Sequence, residues 1–280
     1  ICLRKGVCAL PKNVEIIALG ESGKLLRALE LCTIAFGRRR EYDAVFVHMN
    51  PEYVVASGWL WKFLHKKIAL WYVHKSVDTK LRAAAKIVDI IFTASKESFR
   101  LAHPRVEIVG HGIDTDFFTP DPSVRRGVHL LSAGRLSESK RHDLVIKAAK
   151  RAGRPLRIAG EGSDRVSLEQ LARTEGADVL FLGGLTQDEL RHEYREAAHF
   201  VHTSTTGSMD KVVLEAAVCD CNVITTTKGL YESIPVESVE ATPEAIADAI
   251  LHAGRESGDR VSIVRHKHSL KGCIEKILSA

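Results

Sequence analysis

Short, β-branched apolar runs alternate with longer helical patterns along most of this 280-residue chain. The runs are apolar throughout, as strands are when helices cover both faces of a parallel sheet. In the first half the candidates are VEIIALG from Val14, AVFVHM from Ala44, IALWYV from Ile68, IIFTA from Ile90 and VEIV from Val106. A helical pattern, KLLRALELCTIAF from Lys24, lies between the first two. The alternation predicts an α/β fold with parallel strands and crossover helices.

The rhythm breaks between Gly110 and Gly127, where Gly, Pro and charged residues cluster as they do in surface linkers. It restarts with VHLLSAG from Val128, PLRIAG from Pro155, VLFLGG from Val179, FVHTS from Phe200 and NVITT from Asn222. Helices are predicted over 140–152, 166–173, 187–198, 211–219 and 242–253. We predict two doubly wound, Rossmann-like domains facing across a cleft, and the cleft is the expected ligand site.

The predicted boundaries are residues 1–118 for an N-terminal domain, 119–127 for the linker, 128–264 for a C-terminal domain and 265–280 for a final helix with Ser269 as its N-cap. Composition fits a globular protein with two cores, at 45% hydrophobic and 27% charged residues. No apolar run is long enough to span a membrane. The six cysteines show no zinc-site spacing and are read as reduced core residues of a cytoplasmic protein. The formal net charge of +5 suits an anionic ligand or surface.

Two cations follow the strand in VHLLSAG. The segment GRLSESKRHD places Arg135 in a loop and Lys140 at the start of the next helix, with Gly134 between strand and loop. A helix N-terminus offers free N–H groups and partial positive charge, so the pair could bind a diphosphate. The alternative is that both are solvated surface charges.

One carboxylate, Glu215, lies in the otherwise apolar pattern KVVLEAAVC. Burying an unpaired carboxylate is costly, so Glu215 needs a partner. Ribose hydroxyls would satisfy it, and so would a buried salt bridge to an Arg of its own domain. In AGEGSD, Gly160 and Gly162 follow another strand. They could let the backbone approach a ligand, or they could simply make a tight turn.

The ordered series HGIDTDFF, AGRLSESKR, GEGSD, VLFLGGLTQDEL and KVVLEAAVCDCNVITT resembles the retaining group one, or family four, glycosyltransferases of the GT-B architecture. The resemblance covers nearly the whole chain. It implies that Arg135 and Lys140 hold the donor diphosphate and that Glu215, as the second Glu of an E-x7-E motif, binds the ribose. It also implies donor-side roles for Gly134, Gly160 and Gly162, and a nucleotide diphosphate sugar as donor without metal or other cofactor.

The first Glu of the motif is absent, because Gly207 stands in its place. Asp210 could supply a carboxylate instead, or the amides of Ser208 and Met209 could hold the sugar. The alternative for Asp210 is an N-cap of the following helix.

Two histidines follow strands of the first half: His74 just past IALWYV and His48 at the end of AVFVHM. The resemblance implies that His74 faces the transfer site. His48 and His111 are acceptor-side candidates. Each histidine could instead be a satisfied structural residue. Asp114 and Asp116 mimic a D-x-D metal motif, but their place in the linker favours a structural role.

Relatives in this family open with a strand and a glycine-rich loop, so about 30–40 residues are expected to be missing before Ile1. The predicted function is transfer of a hexose to an acceptor hydroxyl with retention of configuration, in cell-surface glycan or glycolipid synthesis. The alternatives are an inactive nucleotide-binding scaffold and, less favoured, a sugar-nucleotide epimerase. Predicted partners are the nucleotide sugar and a sugar, polysaccharide or lipid-linked acceptor, without nucleic acid. The segment GWLWKFLHKKIALWYVHK from Gly58 suggests peripheral contact with the inner face of a membrane, although a buried helix, a basic turn and a strand explain it as well.

Overall fold

The computed structural model describes residues 1–2, 11–20, 23–74, 76–205, 209–227, 234–252 and 259–280. The chain divides into two compact units, Ile1–Ile108 (unit 1) and Val109–Ala280 (unit 2). The sequence places this boundary ten residues later. Within the described residues, no helix is long and apolar enough to cross a bilayer.

Unit 1 contains a parallel sheet of four strands in the order β1-β2-β3-β4, with three α-helices in the described part of the unit. Its elements are α1 (Lys24–Gly37), β1 (Ala44–His48), α2 (Pro51–Phe63), β2 (Lys67–Trp71), α3 (Thr79–Ala85), β3 (Ile90–Thr93) and β4 (Val106–Ile108). Pro51 begins α2, where its missing N–H costs nothing. Asp78 caps α3 by accepting from the Leu81 N–H at 2.7 Å.

Two expectations for unit 1 have different outcomes. The predicted strand from Val14 is wrong. Among the described residues, Ala18 pairs only with Cys2, in one isolated parallel bridge, and a single bridge does not form a strand. The reading of the Gly58 segment as helix, basic turn and strand is confirmed, because α2 ends at Phe63 and β2 begins at Lys67.

In the part of unit 2 that the structure describes, six strands form a parallel sheet in the order β10-β9-β8-β5-β6-β7. Its strands are β5 (Leu130–Ala133), β6 (Leu156–Ala159), β7 (Val179–Gly183), β8 (His199–His202), β9 (Asn222–Thr225) and β10 (Glu237–Ser238). Its helices are α4 (His142–Ala152), α5 (Arg165–Glu175), α6 (Gln187–Glu196), α7 (Lys211–Val218), α8 (Pro243–His252), α9 (Arg260–His268) and α10 (Leu270–Ser279). Counted within the unit, this is the Rossmann strand order, with a switch point between β5 and β8.

Two buried apolar clusters line the two faces of this sheet. One joins α4, α5 and α8 to the strands, and the other joins α6, α7 and α9. Gly153 and Gly176 end α4 and α5 in the left-handed conformation, and Thr186 with Glu189 forms a capping box at α6. The layers are those of a doubly wound α/β domain, as predicted.

The segment predicted to be a surface linker packs inside unit 2. The Ile113 N–H donates to the His268 carbonyl, and the Leu270 N–H donates to the Ile113 carbonyl, both at 2.7 Å. Ile113 and Phe118 are buried in the core. The Arg126 guanidinium donates to four backbone carbonyls at the ends of α6 and α7: those of Tyr194, Ala197, Cys219 and Asp220. Composition could not predict that this segment packs into unit 2, because the residues that it contacts lie far along the chain.

The C-terminal region forms two helices instead of the single helix predicted over 265–280. Arg260 begins α9 and is 3% exposed, and its guanidinium donates to the Cys221 carbonyl at 3.1 Å. Ser269 separates the two helices and caps α10 by accepting from the Gly272 N–H, so the predicted N-cap is confirmed.

Candidate functional site

The candidate site lies at the switch point of unit 2, at the carboxyl ends of β5 and β8. The loop after β5 ends in a 3-10 turn, Glu138–Lys140, and α4 begins at His142. Lys140 therefore lies two residues before α4, whereas the sequence predicts it in the first turn of that helix. The loop after β8 leads to Asp210, immediately before α7. The Lys140 Nζ donates to the Asp210 Oδ2 at 2.5 Å, so the two loops meet in an ion pair.

His202 makes a second contact to the same carboxylate oxygen. Its Nε2 lies 2.8 Å from the Asp210 Oδ2, and its Nδ1 lies 3.1 Å from the Thr225 Oγ1. The His202 side chain is buried at the end of β8, while the side chains of Lys140 and Asp210 remain 19% and 18% exposed. Burial raises the pKa of the Asp210 carboxyl, but hydrogen bonds from His202 and Lys140 outweigh it and lower the pKa to about 2. Asp210 is therefore an anion at neutral pH.

Backbone contacts hold the two loops in this position. The Thr203 hydroxyl donates to the carbonyls of Lys140 and Arg141, at 2.8 and 2.9 Å. The Thr205 N–H donates to the Ser139 carbonyl at 2.8 Å. These bonds fix the β5–α4 loop to the end of β8, and they define where Lys140 can reach.

Arg135 lies in the same loop, and its side chain is exposed. No described residue forms a side-chain hydrogen bond or ion pair with it. Gly134, just before it, has φ +150°, and a Cβ added there would lie 3.8 Å from the Lys140 Cδ. That distance is ordinary van der Waals contact, so the positive φ, and not a clash with the lysine stem, is what favours glycine at 134. Arg135 is an available cation, and Lys140 is one already paired.

Gly160 and Gly162 pack closely against the backbone of the loop after β5, and their approach to a ligand stays a prediction. A Cβ at Gly160 would lie 1.9 Å from the Gly134 carbonyl oxygen, and a Cβ at Gly162 would lie 2.1 Å from the Leu136 carbonyl oxygen. Both glycines let the loop after β6 pack against the loop after β5. Two backbone hydrogen bonds stabilise this packing: the Gly134 N–H donates to the Ala159 carbonyl, and the Leu136 N–H donates to the Glu161 carbonyl.

Glu215 is half-buried on α7 and does not form the predicted alternative, a salt bridge to an Arg among the described residues. Its Oε2 accepts from the Tyr194 hydroxyl at 3.2 Å. Burial raises the pKa of Glu215, opposed by the Tyr194 hydrogen bond and the charge of Lys211. Burial, then the charge of Glu215, raises the pKa of Tyr194, so this hydroxyl remains a donor. One neutral hydrogen bond compensates a carboxylate only in part.

The predictions for Gly207, Ser208, Met209 and Asp210, which stand at or near the motif's absent first Glu, fare differently in the structure. Gly207 and Ser208 lie outside the described residues. Met209 is buried in the unit 2 core. Asp210 occupies the predicted N-cap position of α7, but its side chain makes no capping hydrogen bond. Lys140 and His202 hold the carboxylate instead.

The three histidine candidates differ in their surroundings within their own units. His74 is exposed, with its Nδ1 2.6 Å from the Ser76 Oγ. His48 stacks on Trp71, with ring centroids 6.3 Å apart, and lines a cavity of about 370 Å³ in unit 1 together with Asn50. His111 is 5% exposed beside His268, at a ring separation of 6.0 Å, so it is a core residue of unit 2 and not a surface ligand.

The linker carboxylate Asp114 makes local contacts. Its Oδ1 accepts from the Asp116 N–H at 3.3 Å and from the Phe117 N–H at 3.0 Å. This turn supports the structural reading of the D-x-D pattern.

His202 and Tyr194 are the site residues that the sequence did not single out. The signal for His202 was its place at the end of FVHTS, the strand that enters the Asp210 loop. Tyr194 lies on the preceding helix, and no spacing in the sequence connects it to Glu215.

Comparison with known proteins agrees with this architecture. Residues 127–255 match the family described as Glycosyl transferases group 1. The chain aligns over 94% of its length with the crystal structure of Anabaena Alr3699/HepE in complex with UDP, at a TM-score of 0.78 and 15% identity, covering 85% of that chain. The chain thus has the GT-B fold. Within it, residues 127–255 are similar to the group 1 glycosyl transferases.

Two curated relatives are more similar in sequence. A D-inositol 3-phosphate glycosyltransferase of Pseudarthrobacter chlorophenolicus is 33% identical over 181 residues, which cover 56% of this chain and 42% of the relative. The second relative belongs to the phosphatidylinositol N-acetylglucosaminyltransferase of Homo sapiens. It is 30% identical over 174 residues, covering 58% of this chain and 36% of the relative. The chain therefore spans less than half the length of either relative.

Proposed function

We propose that this protein transfers a hexose from a nucleotide diphosphate sugar to an acceptor hydroxyl. The observation that supports this most is the meeting of Lys140 and Asp210 across the switch point of unit 2, with the available cation Arg135 in the same loop. Ligands of such sheets bind at the switch point. UDP is the first nucleotide to test, because the Alr3699/HepE structure is named for it.

In this proposal the two cations stabilise negative charge that develops on the leaving diphosphate. Lys140 already touches a carboxylate, so the incoming diphosphate competes with Asp210 for its ammonium group. Glu215 accepts hydrogen bonds from the ribose hydroxyls, which completes the compensation that Tyr194 begins. Transfer with retention and without a metal ion is part of the proposal, on the strength of the family resemblance alone.

The proposed acceptor site involves two histidines of unit 1. His74 is an exposed polar group past the end of β2, and His48 lies at the end of β1. Two relatives are named for inositol-containing acceptors, D-inositol 3-phosphate and phosphatidylinositol. These two acceptors, one free and one in a lipid, are therefore the first to assay.

The diphosphate assignment is tested by calorimetry with UDP, GDP and ADP. Arg135→Ala/Lys140→Ala should weaken binding of the preferred nucleotide by about 100-fold, since each charge-assisted contact contributes roughly 1.5–3 kcal/mol and part is recovered by solvent. Lys150→Ala/Arg151→Ala removes the same charge from the far end of α4 and should bind as wild type. Unchanged binding by the first variant would refute the assignment.

The ribose assignment needs a separate comparison. Wild type should bind UDP about tenfold more tightly than 2′-deoxy-UDP, because the deoxy compound leaves Glu215 short of a donor. Glu215→Gln should reduce this preference. A preference that survives the substitution would place the ribose elsewhere. Consumption of sugar nucleotide only when acceptor is present would separate a transferase from a scaffold and from an epimerase.

A further inference from the structure

One histidine at the candidate site has no role in the proposed function. His202 ends β8, and its side chain is 4% exposed. Its Nε2 lies 2.8 Å from the Asp210 Oδ2, and its Nδ1 lies 3.1 Å from the Thr225 Oγ1. An ionised carboxylate can only accept hydrogen bonds, so the imidazole carries a proton on Nε2 and donates it to Asp210. The charge of His202 therefore depends on whether Nδ1 carries a second proton.

The Thr225 hydroxyl allows either charge state of this imidazole. A hydroxyl has one proton to donate and two lone pairs to accept with. The Thr225 oxygen accepts from the Thr227 N–H at 3.2 Å, which leaves one lone pair and the hydroxyl proton for His202. Thr225 can donate to a bare Nδ1 or accept from a protonated one. His202 can therefore gain a proton and keep its contacts with Thr225 and Asp210.

The charge balance around Asp210 decides which state is favoured. Lys140 already supplies one cation to the Asp210 carboxylate, with 2.5 Å between Nζ and Oδ2. A protonated His202 would put a second cation on the same oxygen, in a place where the Asp210 side chain is only 18% exposed. Burying a charge without its own counter-charge is costly. The contact between Lys140 and Asp210 therefore favours a neutral His202.

A nucleoside diphosphate would change this balance. The next step rests on the proposed function, in which the diphosphate takes the Lys140 ammonium group from Asp210. The carboxylate then loses the charge of Lys140, and a new anion lies nearby. Both changes favour a positive charge on a neighbouring imidazole. His202 is in contact with the same carboxylate oxygen, so it is placed to replace the lost cation.

Other titratable groups face His202 from the elements packed against β8. Lys140 comes from the loop between β5 and α4, and Asp210 precedes α7. His142, at the start of α4, also lies close to His202. Burial, together with the charges of His202 and Lys140, lowers the pKa of His142 to about 4, so His142 adds no charge near neutral pH. From β9 comes the uncharged Thr225. His202 is thus the group best placed to take up a proton.

We propose that His202 takes up a proton when a nucleoside diphosphate binds, so that binding of the donor is coupled to pH. His202 is a positioning residue, because it acts through Asp210. Its new charge keeps the carboxylate paired and lowers the cost of releasing Lys140 to the diphosphate. A binding step that takes up a proton weakens as the pH rises. Affinity for the diphosphate should therefore be highest in weakly acidic solution.

The test is calorimetry of UDP binding to the full chain at pH 6.5, 7.5 and 8.5. Buffers of different ionisation enthalpy give the number of protons taken up. At pH 7.5, wild type should take up about half to one proton more than His202→Gln. Relative to that variant, its affinity should fall by about threefold to tenfold per pH unit. Comparison with one ligand cancels the ionisation of UDP itself. The matched control is His199→Gln, at the other end of β8, which should behave as wild type.

A second pair of variants tests the route of the proton. Thr225→Val removes the hydroxyl that must accept from a protonated Nδ1, so it should reduce the proton uptake to less than half of the wild-type value. Thr225→Ser keeps the hydroxyl and should restore the uptake. A merely structural role of Thr225 would instead weaken UDP binding equally at every pH, and that result would contradict the proposal.

The proposal is overturned if wild type and His202→Gln take up the same number of protons, because the proton would then belong to Asp210 or to the ligand. In that case UDP still binds and the proposed function stands. Failure of UDP, GDP and ADP to bind wild type at any of the three pH values would overturn both. Circular dichroism checks the fold of each variant. If His202→Gln does not fold, the comparison of Thr225→Val with Thr225→Ser decides.

Discussion

The two units use similar strands and helices for different purposes. The four described strands of unit 1 run in sequential order, and its helices leave a broad apolar face exposed. The six described strands of unit 2 reverse their order between β5 and β8, and the charged groups Lys140 and Asp210 meet there. The order of strands, more than their number, decides where loops diverge enough to hold a ligand.

The histidines of the two units differ in their burial. In unit 1, His48, His65 and His74 are exposed. In unit 2, burial lowers the pKa of His111 to about 3 and that of His142 and His268 to about 4, with neighbouring charges adding to the effect. Unit 2 keeps these imidazoles neutral inside its core, so its stability should fall as the pH drops below the ordinary histidine pKa.

The largest effect is expected from Gly160→Ala, which should destabilise unit 2 by about 3 kcal/mol or more and leave unit 1 folded. The added Cβ would lie 1.9 Å from the Gly134 carbonyl oxygen, and backbone cannot yield as a side chain can. Gly153→Ala is the matched control. It also has positive φ but meets nothing within 4 Å, and should cost about 1 kcal/mol.

Urea unfolding monitored on peptides of each unit by hydrogen exchange measures this difference. If both glycine variants lowered the free energy of unfolding of unit 2 equally, the loops after β5 and β6 would be able to separate at little cost in free energy. Loss of protection in unit 1 as well as unit 2 would break the comparison, since the units would then unfold together.

A smaller effect is expected from acid. A histidine that is neutral when folded and protonated when unfolded destabilises the fold as pH falls below its unfolded pKa of about 6.5. Unit 2 should therefore lose up to about 1.4 kcal/mol per pH unit for each of these histidines. The loss runs from pH 6.5 to about 4 for His142 and His268, and to about 3 for His111. All three tryptophans lie in unit 1, so their emission should stay constant in this range while the far-UV signal decreases.

His268→Gln should flatten this dependence, whatever it does to stability at pH 7, and His103→Gln in unit 1 should not. A steep decrease in stability that persists in His268→Gln and also in His142→Gln would assign the acid sensitivity to other groups.

How far the sequence predicts this molecule depends on the range of the interactions. Helices and buried strands of unit 2 follow local patterns, and α6 or β9 could be predicted within two residues. Ser269 was predictable as a cap because capping is local. The packing of Arg126 against the ends of α6 and α7 was not, because its acceptors lie about 70 to 90 residues away. The same holds for the site: Lys140 and Glu215 stand out in sequence, but their partners Asp210 and Tyr194 depend on tertiary contacts.

The smallest effect concerns Asp210, and it sharpens the view of unit 2 as a preformed charge site. Asp210→Asn removes the carboxylate that holds the Lys140 ammonium, so a nucleoside diphosphate no longer competes with it. We expect UDP affinity to rise by about threefold to tenfold, in line with the loss of one mostly buried charge pair. Asp143→Asn is the control: Asp143 pairs with Arg141, the residue that precedes α4, and its loss should leave UDP binding unchanged. The sugar nucleotide decides between two roles for Asp210. If this carboxylate also binds the donor sugar in place of the absent Glu, Asp210→Asn should bind UDP more tightly but the UDP-sugar more weakly than wild type. If it only restrains Lys140, both affinities should rise together, and a fall in UDP affinity would contradict either role.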